Sequence, residues 1–195
     1  MSDLVDLVPA GERLVEVAAE VADDRLGAPT PCEGRTVGQL LQHLVGLTLA
    51  FRAAADKDLG PVTDTSPDDG GWPDVEPGWR EALATQVPAM TAAWRDPVAW
   101  QGMTRAGGVD LPGEVGGLVA LDELLLHGWD LARATGQPYT CDDATAEACL
   151  AFVSGFDESG TPGLFGPAAS VSEDASAFER LLARSGRDPR WVPSV

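Results

Sequence analysis

Apolar residues recur every three to four positions along most of the 195-residue chain, and this spacing is typical of helices that bury one face. Strict alternation of apolar and polar residues, which would indicate strands, is scarce. The pattern therefore predicts a largely helical protein. The predicted helices cover about residues 4–26, 36–55, 78–94, 114–135, 143–155 and 172–184.

Several predicted helices carry start signals. Thr36 followed by Gln39 has the spacing of a capping box at the start of the second helix. Pro77 suits the first turn of the third helix, because a proline there gives up no helical hydrogen bond. Ser172 is the predicted cap of the last helix.

Two segments lack helical periodicity and predict loops. Residues 56–76 are rich in Asp, Gly, Pro and Thr, and residues 96–112 are irregular with a short extended piece near 98–103. The fold class that follows is all-α, an up-and-down four-helix bundle with a short helical C-terminal extension. We expect residues 1–139 to form the bundle and residues 140–195 to pack on it as one compact domain.

Composition narrows the class of function. The net charge of -18 disfavours binding to nucleic acids and to anionic membranes. No signal peptide and no membrane-length apolar run is visible, and three cysteines without a paired motif suggest free thiols. These features predict a cytoplasmic protein, and the preference for Arg, Ala, Gly and Pro hints at an actinobacterial source.

Both histidines of the chain fall within predicted helices. Glu123 and His127 are one helical turn apart, so their side chains share a face, and Asp130 projects close to it. His43, on the apolar side of the second helix, would add a third ligand to a divalent metal. Two imidazoles and one carboxylate leave a position open, as in catalytic metal sites, and Asp130 would orient His127 or a water.

Other interpretations of these residues remain open. His43 and His127 could be core histidines, and Glu123 with His127 could be an ordinary surface pair. Cys32 precedes a helix, where a thiol can be activated, but a small buried packing residue is the simpler interpretation. Trp129, next to His127, is a candidate pocket wall. A phosphate-binding glycine loop and a G-x-S-x-G elbow are both missing from the sequence.

The chain resembles the metal-binding domain family of mycothiol-dependent maleylpyruvate isomerase, one of the DinB-like helical bundles. The resemblance covers most of the chain, and the H-G-W-D-L-A run is its most specific part. It rests on P-T-P-C at residues 29–32, T-V at 36–37, L-L-Q-H-L at 40–44, E-L-L-L-H-G-W-D-L-A-R-A-T-G at 123–136, F-G-P at 165–167, F-E-R-L-L-A at 178–183 and G-R-D-P-R-W at 186–191.

This resemblance implies a divalent metal, usually zinc, on His43, Glu123 and His127, and mycothiol or a related thiol as cosubstrate. Two departures are visible. The residues from 140 onward are too few for the second domain of the full isomerase, so maleylpyruvate isomerisation itself is doubtful. Arg35 also stands where many relatives carry an aromatic residue.

The function expected from these residues is a metal- and thiol-dependent transferase or isomerase that acts on a small electrophile. One alternative is a non-catalytic metal-binding or interaction protein, in which a fourth ligand such as Asp130 or Cys32 closes the site. A metal-dependent hydrolase with Asp130 as base is a weaker alternative. A homodimer, the identity of the metal and the substrate are left open.

Overall fold

The computed structural model describes residues 4–66 and 71–193, and most of these residues are helical. A 3-10 turn, Asp23–Arg25, follows the first helix. The α-helices of the described chain are α1 Val8–Ala19, α2 Val37–Asp56, α3 Pro61–Asp64, α4 Trp79–Ala93, α5 Gly113–Thr135, α6 Asp143–Val153 and α7 Ala177–Arg184.

The cap of α2 follows the sequence prediction, whereas the cap of α7 does not. Thr36 accepts a hydrogen bond from the backbone of Gln39, and the Gln39 side chain accepts one from the backbone of Thr36. At α7 the capping box is formed by Ser176 and Glu179, so the predicted cap Ser172 is wrong. Glu179 lies three residues after Ser176, and this spacing is what selects the later serine.

Four long helices form the main core. Helix α1 packs against α4 and α5, and α2 packs against the same two helices. Helices α6 and α7 pack against each other, and α6 also contacts α5. The up-and-down connectivity and the boundary near residue 139 remain predictions. Leucines with almost no exposed surface fill the core shared by the four helices: Leu14, Leu40, Leu44, Leu83, Leu121 and Leu124.

The all-α prediction requires a correction, because two strands form an antiparallel hairpin. Strands β1 (Met103–Ala106) and β2 (Val109–Pro112) pair across Gly107 and Gly108, both of which have positive φ. Positive φ at both turn positions suits tight hairpins, and glycine adopts it without strain. The Thr104 hydroxyl donates to the carbonyl of Ala54 and ties the hairpin to α2.

Three further element boundaries differ from the predictions. Helix α1 ends at Ala19 instead of continuing to residue 26. Helix α4 begins after Gly78, which has a φ of 89°, so Pro77 is outside it. The predicted loop 56–76 contains α3. No helix among the described residues is both long and apolar enough to cross a membrane.

Candidate metal centre

The three predicted metal ligands come together where α2 packs on α5. Nε2 of His127 lies 3.0 Å from Oε2 of Glu123, and Nε2 of His43 lies 3.5 Å from the same oxygen. One ligand atom from each residue can be chosen so that all three are within 4.8 Å of one another. The side chains of His43, Glu123 and His127 remain 10%, 25% and 10% exposed, so a small ligand can reach them.

Asp130 and Arg187 form a support behind His127. Nδ1 of His127 is 3.0 Å from Oδ2 of Asp130, which is fully buried. Arg187 donates to both Asp130 oxygens, at 2.9 and 2.8 Å. A carboxylate at Nδ1 favours the tautomer with its proton on Nδ1, which leaves the Nε2 lone pair facing Glu123. Arg187 lies 57 residues after Asp130, and sequence spacing gave no sign of this contact.

The charges at this centre are strongly coupled. Burial acts to raise the pKa of Glu123, but its contacts with His127 and His43 lower that pKa well below its ordinary value. Burial acts to lower the pKa of His127, but the contacts with Asp130 and Glu123 outweigh it and raise the pKa to about 10. The acidic side chains therefore stabilise a positive charge on or beside the imidazole.

The donor atoms fit a cation. Oε2 of Glu123 is buried and accepts no hydrogen bond of good geometry from a described residue, although Nε2 of His127 is 3.0 Å away. With the proton of His127 on Nδ1, two acceptors face each other, and this arrangement needs a proton or a metal ion between them. Two imidazole nitrogens and one carboxylate oxygen are the ligand types of open zinc sites.

An aromatic stack leads from His43 towards the solvent. Trp72 stacks on the His43 ring, with centroids 4.3 Å apart and an angle of 24° between the ring planes. The guanidinium carbon of Arg35 lies 4.2 Å from the centroid of the Trp72 ring, so Trp72 contacts both Arg35 and His43. Trp129, expected as a pocket wall, is instead buried with Arg133 nearby, and it is not in the cavity lining. Trp72 belongs to the predicted loop, where no periodic pattern pointed to it.

These residues open onto a cavity of about 640 Å³. The segment after α5 supplies an apolar wall of Phe152, Phe156 and Phe165. Cys32 also lines the cavity, and burial raises its pKa, which favours a neutral thiol over an activated one. Asp122 is 5% exposed, and its Oδ1 has no hydrogen-bond partner among the described residues. Burial, followed by the charge of Glu123, raises the pKa of Asp122 to about 8.

Comparison with known proteins identifies the family. Residues 7–132 match the family model described as the mycothiol maleylpyruvate isomerase N-terminal domain. The chain belongs to this family. This confirms the resemblance inferred from the sequence motifs. The family segment contains His43, Glu123, His127 and Asp130, whereas Arg187 and the phenylalanine wall lie beyond it.

The chain is also similar to two mycobacterial proteins and to two solved structures. Two uncharacterized proteins of Mycobacterium tuberculosis, MT0763 and Rv0738, are each 28% identical to the chain over 142 residues, 73% of this chain and 72% of theirs. Crystal structures of mycothiol-dependent maleylpyruvate isomerase and of a histidine-to-alanine mutant of it superpose with TM-scores of 0.56 and 0.58. They are 18% identical, with 77% of this chain and 66% of theirs covered, and so they show a shared fold.

Proposed function

We propose that this protein is a metal-dependent enzyme that uses a low-molecular-weight thiol, of the mycothiol type, in a transfer or isomerisation reaction on a small electrophile. The observation that carries the proposal is the convergence of His43, Glu123 and His127 at the edge of a cavity in a member of this family. The solved relative is named for its dependence on mycothiol, and we extend that dependence, but not its substrate, to this chain.

The residues of the chain divide the work in this proposal. His43, Glu123 and His127 would hold a divalent ion, for which we propose zinc, and a bound ion would stabilise the thiolate form of the thiol. Asp130 accepts the Nδ1 proton of His127 in a hydrogen bond and keeps Nε2 directed at the ligand position. Arg187 holds Asp130 through both carboxylate oxygens.

The alternatives are less well supported. A closed, non-catalytic site needs a fourth ligand, but both oxygens of Asp130 are bonded to Arg187 and one also contacts His127. Cys32 groups with His127 and Asp130, not with His43 and Glu123. A hydrolase would need a free base at the site, and the same contacts occupy Asp130, the base expected from the sequence.

For the molecule as a whole we propose an up-and-down bundle of α1, α2, α4 and α5 and a cytoplasmic location.

Metal content is the first test of this proposal. The untagged protein should purify with, or take up, about one equivalent of zinc or a similar ion per chain. His127→Ala and Glu123→Gln should lose it, because each removes one of three protein ligands. Glu114→Gln is the matched control, since Glu114 is an exposed residue in the first turn of the same helix.

The chemical part needs a second measurement. The metal-loaded protein should accelerate the reaction of a low-molecular-weight thiol with members of a panel of small electrophiles that includes maleylpyruvate. The acceleration should disappear in His127→Ala. Retention of metal by both ligand variants, or metal binding without acceleration by any thiol, would contradict the proposal.

A further inference from the structure

The cavity contains a cationic side chain that the metal centre does not use. Arg35 lines the cavity with its guanidinium 4.2 Å from the centre of the Trp72 ring, and Trp72 in turn stacks on His43 at 4.3 Å. Trp72 therefore lies between the guanidinium and His43, a proposed metal ligand. Arg35 and the proposed metal ligands line the same cavity, so one ligand in that cavity can contact both.

The geometry of the stack leaves the hydrogen-bond donors of Arg35 available. A cation–π contact of the guanidinium carbon with an indole ring does not use the N–H groups as hydrogen-bond donors to a carboxylate. Among the described residues, Arg35 has no ion pair and no side-chain hydrogen bond. Arg187, the other arginine in the lining, is committed to both oxygens of Asp130.

The negative charge of the protein makes a cationic side chain in the cavity important for binding an anion. The chain carries a net charge of -18, and Glu33, Asp122 and Glu123 lie in the same cavity. An anionic group that lies away from the metal centre, near Glu33, is repelled unless a nearby cation offsets the negative charge. Arg35 is that cation, and its planar fork of donors matches the two oxygens of a carboxylate.

We infer that Arg35 is a specificity-determining residue that binds a carboxylate on the small electrophile or on its thiol adduct. Because Phe152, Phe156 and Phe165 also line the cavity, the ligand class is a carboxylic acid with an apolar body between the carboxylate and the reacting carbon. This inference rests on the proposed function, since it assumes that the thiol sulfur occupies the metal centre.

Two thiols of equal chain length test the inference, mercaptohexanoate and mercaptohexanol. They differ in the terminal group, so that a difference between them reports on the carboxylate. Their binding to the cobalt(II)-loaded protein is followed by the sulfur-to-cobalt charge-transfer absorption. Wild-type protein should bind mercaptohexanoate about tenfold or more tightly than mercaptohexanol, the scale of one charge-assisted contact.

Two variants separate the effect of a direct contact with the carboxylate from the effect of a change in the net charge of the protein. Arg35→Gln should abolish the preference for mercaptohexanoate and leave the affinity for mercaptohexanol unchanged. Arg52→Gln changes the net charge equally, but Arg52 lies on α2 with Asp56 as its partner, outside the cavity lining, and this variant should keep the preference.

Each other outcome contradicts a specific step. Equal affinities for the two thiols in the wild-type protein would overturn the role of Arg35 and leave the proposed function standing. Weaker binding of both thiols in Arg35→Gln would show that Arg35 acts on the metal centre instead of on the carboxylate. Absence of the absorption band with either thiol in the wild-type protein would overturn the proposed function and this inference with it.

Discussion

Replacing Arg187 with Met should strongly destabilise the protein. Arg187 donates to both oxygens of Asp130 at 2.9 and 2.8 Å, and Asp130 is fully buried. Removal of one partner leaves a buried carboxylate without its cation, which costs about 3–5 kcal/mol. The contact between Asp130 and His127 remains, so we expect a loss near the lower end, about 3 kcal/mol, out of a total stability of about 5–15 kcal/mol for an ordinary domain.

The measurement is urea unfolding of the metal-free protein at neutral pH, followed by circular dichroism. Arg190→Met is the matched control, because the Arg190 side chain is 85% exposed and its pair with Asp188 is a surface contact, so it should cost less than about 1 kcal/mol. Adding Asp130→Asn to Arg187→Met should recover part of the loss by removing the unpaired charge. A loss below about 1 kcal/mol for Arg187→Met would refute the reasoning.

Three further predictions follow from the structure. Asp130→Asn should weaken zinc binding about 10- to 100-fold in a competition titration with a chelator, and unchanged affinity would contradict its orienting role. The pKa of Asp122 rises from 3.8 to about 8 in the folded state, so metal-free stability should fall as pH rises through that interval. The advantage of Asp122→Asn over wild type should then grow by about 1.4 kcal/mol per pH unit in unfolding curves, and a constant difference would refute this. A Cβ on Gly117 would lie 2.4 Å from the Trp100 ring, whereas one on Gly46 meets nothing within 4 Å. Gly117→Ala should therefore cost about 1–3 kcal/mol and Gly46→Ala should stabilise by about 0.5–1 kcal/mol, and similar thermal midpoints would contradict this contrast.

Local patterns in the sequence predicted much of the helical structure and the grouping of the candidate ligands. The capping box at Thr36 placed the start of α2 correctly. Glu123 and His127 share a face of α5 because they are one turn apart. His43 lies on the apolar side of α2, and this is the side that packs on α5. These features depend on residues three or four positions apart, which a sequence displays directly. The metal itself remains a prediction.

Contacts between distant segments could not be predicted in the same way. Arg187 reaches Asp130, and Trp72 reaches His43 from a segment without periodicity. Such pairs depend on how the chain returns to the core, which a single sequence does not display. The hairpin differs from these contacts, because the adjacent residues Gly107 and Gly108 are a local signal for a tight turn that the sequence does display.

The ion pair between Asp130 and Arg187 has a consequence for how this family can be rearranged by evolution or by design. The family segment, residues 7–132, includes Asp130 but ends before Arg187. Moved alone onto another polypeptide, that segment would keep the contact between Asp130 and His127 but would lose the two hydrogen bonds from Arg187 to the carboxylate. A recombinant that keeps Asp130 therefore needs a replacement for the Arg187 donors from the sequence that is joined to it, and this one carboxylate would limit which modules can be fused.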